Sequence, residues 1–144
     1  MNIKKFILIV ILTFLIGTIP SWFISMDISN LVKPFEIPTI IFPIVWTILY
    51  LMMAISYYLV SNKSNTFGIY FAQLVFNSLW TVFFFGFKLR LFAFIWLIAL
   101  FVLVVLMLVK YYKINKTAGY LLIPYSLWLV FAGYLNLSIY LLNR

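Results

Sequence analysis

Three tryptophans of this chain each share a helical face with residues suited to holding a ligand. Pro124, Trp128, Ala132 and Asn136 recur at intervals of four. Trp46, Tyr50, Met53 and Tyr57, and again Gln73, Asn77, Trp80 and Phe84, follow the i, i+4, i+7, i+11 pattern of one helix face. Indoles, phenols and carboxamides stack and hydrogen-bond, but they are poor general acids, bases or nucleophiles. The chain has no Cys and no His, and Asp27 and Glu36 are its only acids. Thiol and imidazole catalysis and the usual zinc, copper and haem-iron ligands are therefore excluded, and no metal or cofactor is expected. Proton-driven transport ordinarily needs a carboxylate or His within the membrane, and both acids here fall in one loop.

These faces need apolar elements to position them. Of 144 residues, 67% are hydrophobic and 8% charged, far more apolar than a soluble domain. The spacing predicts a single all-α integral membrane domain, residues 1–144, with five spans near 6–24, 40–60, 67–87, 91–109 and 118–141. The first run follows two lysines as a signal peptide does, but it is long and has no clear cleavage site, so it reads as a retained helix bent or ended by Gly17 and Pro20. Lys110 to Lys116 reads as a basic loop. A net charge of +8 spread over every connection fits membrane flanks, not nucleic acid. Six basic residues on the N-terminal side against four on the other place the N-terminus in the cytoplasm.

Gln73, Asn77 and Asn136 have two readings. Carboxamides commonly bond across helices, each contributing about 0.6–2 kcal/mol; beside Trp46, Trp80 and Trp128 they could also line an aromatic cavity for a flat, mostly hydrophobic ligand. Apolar residues flank those three indoles on both sides, whereas Trp22 and Trp96 suit the headgroup belt better. Tyr140 and Arg144, within a loose sterol-type pattern from Leu135, read as interface anchors.

Four segments in order carry a resemblance: Leu31-Val-Lys-Pro34, Phe42 to Tyr50, Gln73 to Trp80 with Phe84-Phe-Gly86, and Leu122 to Trp128 running on to Asn136. They are similar to the TspO/MBR family of tryptophan-rich sensory and translocator (peripheral benzodiazepine receptor) proteins. The resemblance implies a five-helix bundle, a homodimer, in a bacterial plasma membrane. It implies a receptor or sensor for tetrapyrroles such as protoporphyrin IX and for isoquinoline- or benzodiazepine-type ligands; animal relatives bind cholesterol. Alternatives within it are a light-dependent porphyrin-degrading enzyme using Trp46 and Trp128, or a facilitated porphyrin or sterol transporter. It places Tyr50, Gln73, Asn77 and Trp80 along the pocket, Ala132 where ligand packs, and the loop with Lys33, Pro34 and Pro38 as a lid. The sequence departs from the family in that loop: Met26-Asp-Ile-Ser-Asn30 lacks the usual aromatics, Pro38 stands alone where a proline pair is expected, and Ile40 falls near the usual Trp.

Overall fold

A computed structural model describes residues 1–144 as helices joined by short connections, with no strand. Helix α1 is Ile3–Thr18, α2 Ile41–Val60, α3 Phe67–Thr81, α4 Arg90–Ile114, α5 Lys116–Leu121 and α6 Ile123–Asn143. With their end turns they make five stretches long and apolar enough to cross a membrane, the fifth being α5 and α6 together.

The boundaries differ from the sequence expectation wherever a helix changes character. Asn2 starts α1 by accepting from the Lys5 amide at 3.1 Å. The α-helix ends at Thr18, and a 3₁₀ turn follows over Ile19–Trp22. Pro20, lacking an N–H, sits in its first positions. After α3 the chain makes one π turn, Val82–Gly86, closed by Phe87 N–H to Val82 O at 2.9 Å. Lys110 to Lys113 is not loop. Those residues continue α4 to Ile114 because Tyr111 is fully buried and its hydroxyl donates to Thr66 O at 2.7 Å. The actual hinge is Asn115, whose Oδ1 accepts from the amides of Thr117 at 2.9 Å and Ala118 at 3.3 Å. The last span also breaks, at Leu122, because Pro124 in the first turn of α6 cannot donate back.

Helix α1 packs on α2 and α3, and α4 packs on α3, α5 and α6. The α4 seam is Ala93, Leu97, Leu100, Val104, Met107 and Tyr111, at steps of four and three, while Ile98, Val102 and Leu106 face outward. The Trp96 indole stacks on Phe76 at 4.3 Å and donates to Phe76 O at 2.9 Å, tying α4 to α3. In a bilayer, apolar contact between helices is driven by packing and by polar bonds, since lipid is as apolar as leucine. Such bonds are present: Ser56 Oγ donates to Ala118 O at 2.7 Å, and Tyr70 meets Thr13 at 2.5 Å.

Candidate ligand-binding site

The loop end of the bundle encloses a cavity of about 420 Å³, within the range of small-molecule sites. Spans one, two, three and five build it, and α4 contributes no wall. From α1 come Phe14, Gly17 and Thr18. Gly17 leaves room for the Tyr50 ring, which lies across α1: a Cβ at position 17 would fall 2.5 Å from its Cζ. From α2 come Phe42, Trp46, Thr47 and Tyr50, and from α3 and its π turn Asn77, Trp80, Thr81, Phe84 and Phe85. Helix α6 adds Trp128, Phe131, Ala132, Leu135 and Asn136.

Aromatic edges and faces form the walls. Trp46 and Trp128 meet edge to face with centroids 6.4 Å apart. Phe42 meets Trp128 at 6.1 Å and Trp80 stacks on Phe84 at 5.2 Å. The carboxamides are largely engaged with protein. Trp80 Nε1 donates to Asn136 Oδ1 at 3.0 Å, and Asn136 Nδ2 donates to Arg90 O at 2.9 Å. Asn77 Nδ2 donates to Tyr125 Oη at 3.0 Å, and Tyr125 Oη donates to Gln73 Oε1 at 2.8 Å. Tyr50 Oη donates to Gly17 O at 3.1 Å. Each amide nitrogen of Asn77 and Asn136 thus uses one of its two hydrogens within the protein.

The expected site residues thus divide. Trp46, Tyr50, Asn77, Trp80, Trp128, Ala132 and Asn136 come together around the cavity. Gln73 is fully buried beneath it, joined to Tyr125 and to Met53 Sδ at 3.8 Å, so its amide serves packing. Pro124 lies outside the lining, exposed at the start of α6; the break at Leu122 turns it away, and Tyr125 fills the inner position. Lys33, Pro34 and Pro38 do not touch the cavity; Met26, Ile28 and Thr39 of the same loop do. Ile28 is the loop's anchor, buried against Phe84, Ala93, Leu135 and Ile139. Lys33 Nζ donates to Ile28 O at 3.2 Å and Leu31 O at 3.5 Å, and Asp27 Oδ1 accepts the Ser29 amide at 2.8 Å. That hydrogen bond, with the Ser29 hydroxyl and Lys33, holds the Asp27 carboxyl below its ordinary value.

Sequence reasoning missed Phe14, Gly17, Phe42, Phe131 and Ile28 as lining residues, and Tyr125 as the residue beneath them that holds Asn77. Extending the faces by one turn finds Phe42, four before Trp46, and Tyr125, three before Trp128. Nothing local marks Phe14 or Ile28.

Five apolar spans, four of them around an aromatic cavity that the first loop helps to line, define an α-helical membrane protein. The TspO/MBR family model matches residues 7–142. The chain belongs to that family and is a multi-pass integral membrane protein. It is 35% identical to Tryptophan-rich protein TspO of Archaeoglobus fulgidus, over 99% of each chain. It is 36% identical to the protein of the same name from Chlorobaculum tepidum, over 85% of this chain and 80% of that one. The Translocator protein homolog of Schizosaccharomyces pombe is 36% identical over 85% of this chain and 84% of its own.

Proposed function

We propose that the protein is a membrane receptor that binds a flat, largely apolar tetrapyrrole of the protoporphyrin IX type in the loop-end cavity. The observation that carries this reading is the wall itself: three indoles and several phenyl rings around one partly open space, with two carboxamides at its edge. Trp46 and Trp128 stack against the macrocycle, Trp80 and Tyr50 bound it, Ala132 leaves it room, and Asn77 and Asn136 meet its polar edge. The family placement, and the name Tryptophan-rich sensory protein carried by a 33% identical relative from Cereibacter sphaeroides, accord with binding and sensing. By the same proposal the protein is a homodimer in a bacterial plasma membrane with its N-terminus in the cytoplasm. The glycine that could mark a dimer face, Gly86, instead packs on Ile24 of its own chain, 3.1 Å from the position of a Cβ.

The test is a dark titration of purified protein with protoporphyrin IX, following tryptophan quenching and the pigment's own absorbance. Saturable binding is expected, weakened about tenfold in Trp46→Phe or Trp128→Phe, the loss of one good aromatic contact. An unsaturable response equal to that of empty lipid would sink the reading. The contact between Trp46 and Trp128 also suits a second reading, in which the lit pigment is degraded with an indole as electron donor and dissolved dioxygen as the oxidant that opens the ring. Illuminating the same samples separates the two, because only degradation bleaches the pigment in wild type and spares it in the Trp46 and Trp128 variants.

A further inference from the structure

We infer that a second recess, formed where α4 begins and α6 ends, binds the phosphate of an anionic phospholipid. It is independent of what the cavity binds. The recess has a volume of about 490 Å³. Lys88, Arg90 and Phe92 line one side of it, and Tyr140 and Arg144 the other. Three of the chain's ten basic residues therefore meet there, and neither of its acids, Asp27 and Glu36, is among the walls.

The turn that builds the recess is tight. Lys88 takes a left-handed backbone, φ 57°, and the Leu89 amide donates to Phe83 O at 2.9 Å, so the chain passes from the π turn straight into α4. Lys88 and Arg90 are thereby held together at a helix N-terminus. That terminus has no side-chain cap and no acidic residue in its first turn, so its positive end meets no opposing charge from the protein. Arg90 is fixed in place: its guanidinium lies over the Phe84 ring at 5.3 Å and its carbonyl accepts from Asn136 Nδ2 at 2.9 Å. Its Nε is nevertheless shielded without any acceptor, a costly state for a charged group. Phosphate oxygens suit a guanidinium fork held in this way. Arg144 stands at the C-terminal end of α6, whose carbonyls it accompanies. The charges left for a guest are Lys88 and Arg90.

Depth selects a lipid over a soluble anion. Arg90 opens the apolar span of α4, which puts the recess at the level of the headgroups. Its rim is apolar, Leu89, Leu91 and Phe92 all being exposed, and acyl chain covers such a rim while the phosphate meets the cations. A choline head carries its own cation, which Lys88 and Arg90 repel, so a net-negative head such as that of phosphatidylglycerol is preferred.

The experiment places the full chain in nanodiscs of equimolar phosphatidylglycerol and phosphatidylcholine, releases it into neutral detergent, and counts retained lipid by native mass spectrometry. Phosphatidylglycerol is expected to be retained about twentyfold over phosphatidylcholine, each basic residue near a headgroup supplying about fivefold. Lys88→Gln and Arg90→Gln should each lower that ratio about fivefold, and the double variant should bring it to the bulk ratio. Lys113→Gln with Lys116→Gln removes the same charge from the opposite end of the bundle and should leave the ratio unchanged. Lys88 is exposed, so Lys88→Gln carries the test if Arg90→Gln does not fold. Retention at the bulk ratio in wild type would overturn the inference. An equal loss in the Lys113 and Lys116 pair would overturn it too, by tracing the preference to overall charge. Millimolar inorganic phosphate should not displace the lipid; displacement would assign the recess to a soluble anion instead.

Discussion

At the end of the bundle away from the first loop, Tyr57 lies flat on Tyr70 with centroids 4.5 Å apart, Tyr70 meets Thr13, and Tyr111 reaches across to Thr66. Tyr70, Met53, Leu74, Val104, Met107 and Tyr111 are all fully buried. At the loop end, side chains of the same kinds surround an open volume. Both ends are aromatic and both contain paired polar groups, so residue type does not make the cavity. The backbone does. At the closed end the helix breaks, at Asn115 and Leu122, fall outside the spans that line the Tyr57–Tyr70 stack: α1, α2 and α3 are regular α-helix there. At the open end α1 tightens into a 3₁₀ turn at Ile19–Trp22 and α3 widens into a π turn at Val82–Gly86. The π turn aims Phe84 and Phe85 at one space, as such turns often do at functional sites.

Two glycines allow the comparison to be broken at either end. Gly119, at the closed end, lets α5 pack against α4: a Cβ there would lie 2.5 Å from Tyr112 Cβ and 2.8 Å from its Cα. Backbone cannot yield as a ring tip can. Gly119→Ala is therefore expected to destabilise the bundle by about 1–3 kcal/mol through overpacking, even after the helix gains about 1 kcal/mol by losing a glycine. Thermal unfolding in detergent checks it, and ligand affinity of the folded fraction should not change. Gly17, at the open end, faces only the tip of the Tyr50 ring, and the free direction for that ring is the cavity. Gly17→Ala should leave stability within about 1 kcal/mol of wild type, strain and helix propensity offsetting each other. It should weaken the cavity ligand by about tenfold as Tyr50 swings inward. If Gly17→Ala unfolds the protein, or Gly119→Ala alters affinity, the two ends are not separable.

Much of this architecture is legible in the sequence alone. Five apolar runs fix five spans, and the shared faces of Trp46 with Tyr50, Asn77 with Trp80, and Trp128 with Ala132 and Asn136 do converge on one cavity, because period and burial alone select an inward face. What is not legible depends on partners distant in sequence. Lys110 and Lys113 read as loop, since charge next to a span usually marks its end; only Thr66, 45 positions from Tyr111, shows why the helix continues. Gln73 and Asn77 look alike on one face, and it takes Tyr125 of α6 to engage Gln73 below the cavity and leave Asn77 at its edge. The Lys and Pro residues of the first loop draw the eye, whereas the residue that closes it is Ile28, whose burial depends on Phe84, Leu135 and Ile139.

The smallest effect expected concerns that loop and separates its anchor from its surface charge. Ile28 is flanked by Asp27 and Ser29, whose side-chain-to-amide hydrogen bond shapes the turn that presents Ile28 to the cavity. The folded carboxyl titrates below the ordinary 3.8. A depressed carboxyl contributes order that is present above the unfolded value and is lost as pH falls through the folded one. The Ser29 amide resonance should therefore titrate with a midpoint below 3.8, and Asp27→Asn should abolish that titration. Ligand dissociation should quicken no more than about twofold across the same window, because the group is exposed and such contacts are weak, while the apolar burial of Ile28 keeps the lid in place. A midpoint at or above 3.8 would show that Asp27 does not hold the turn. A large rise in dissociation would show that the turn, and not Ile28, closes the cavity.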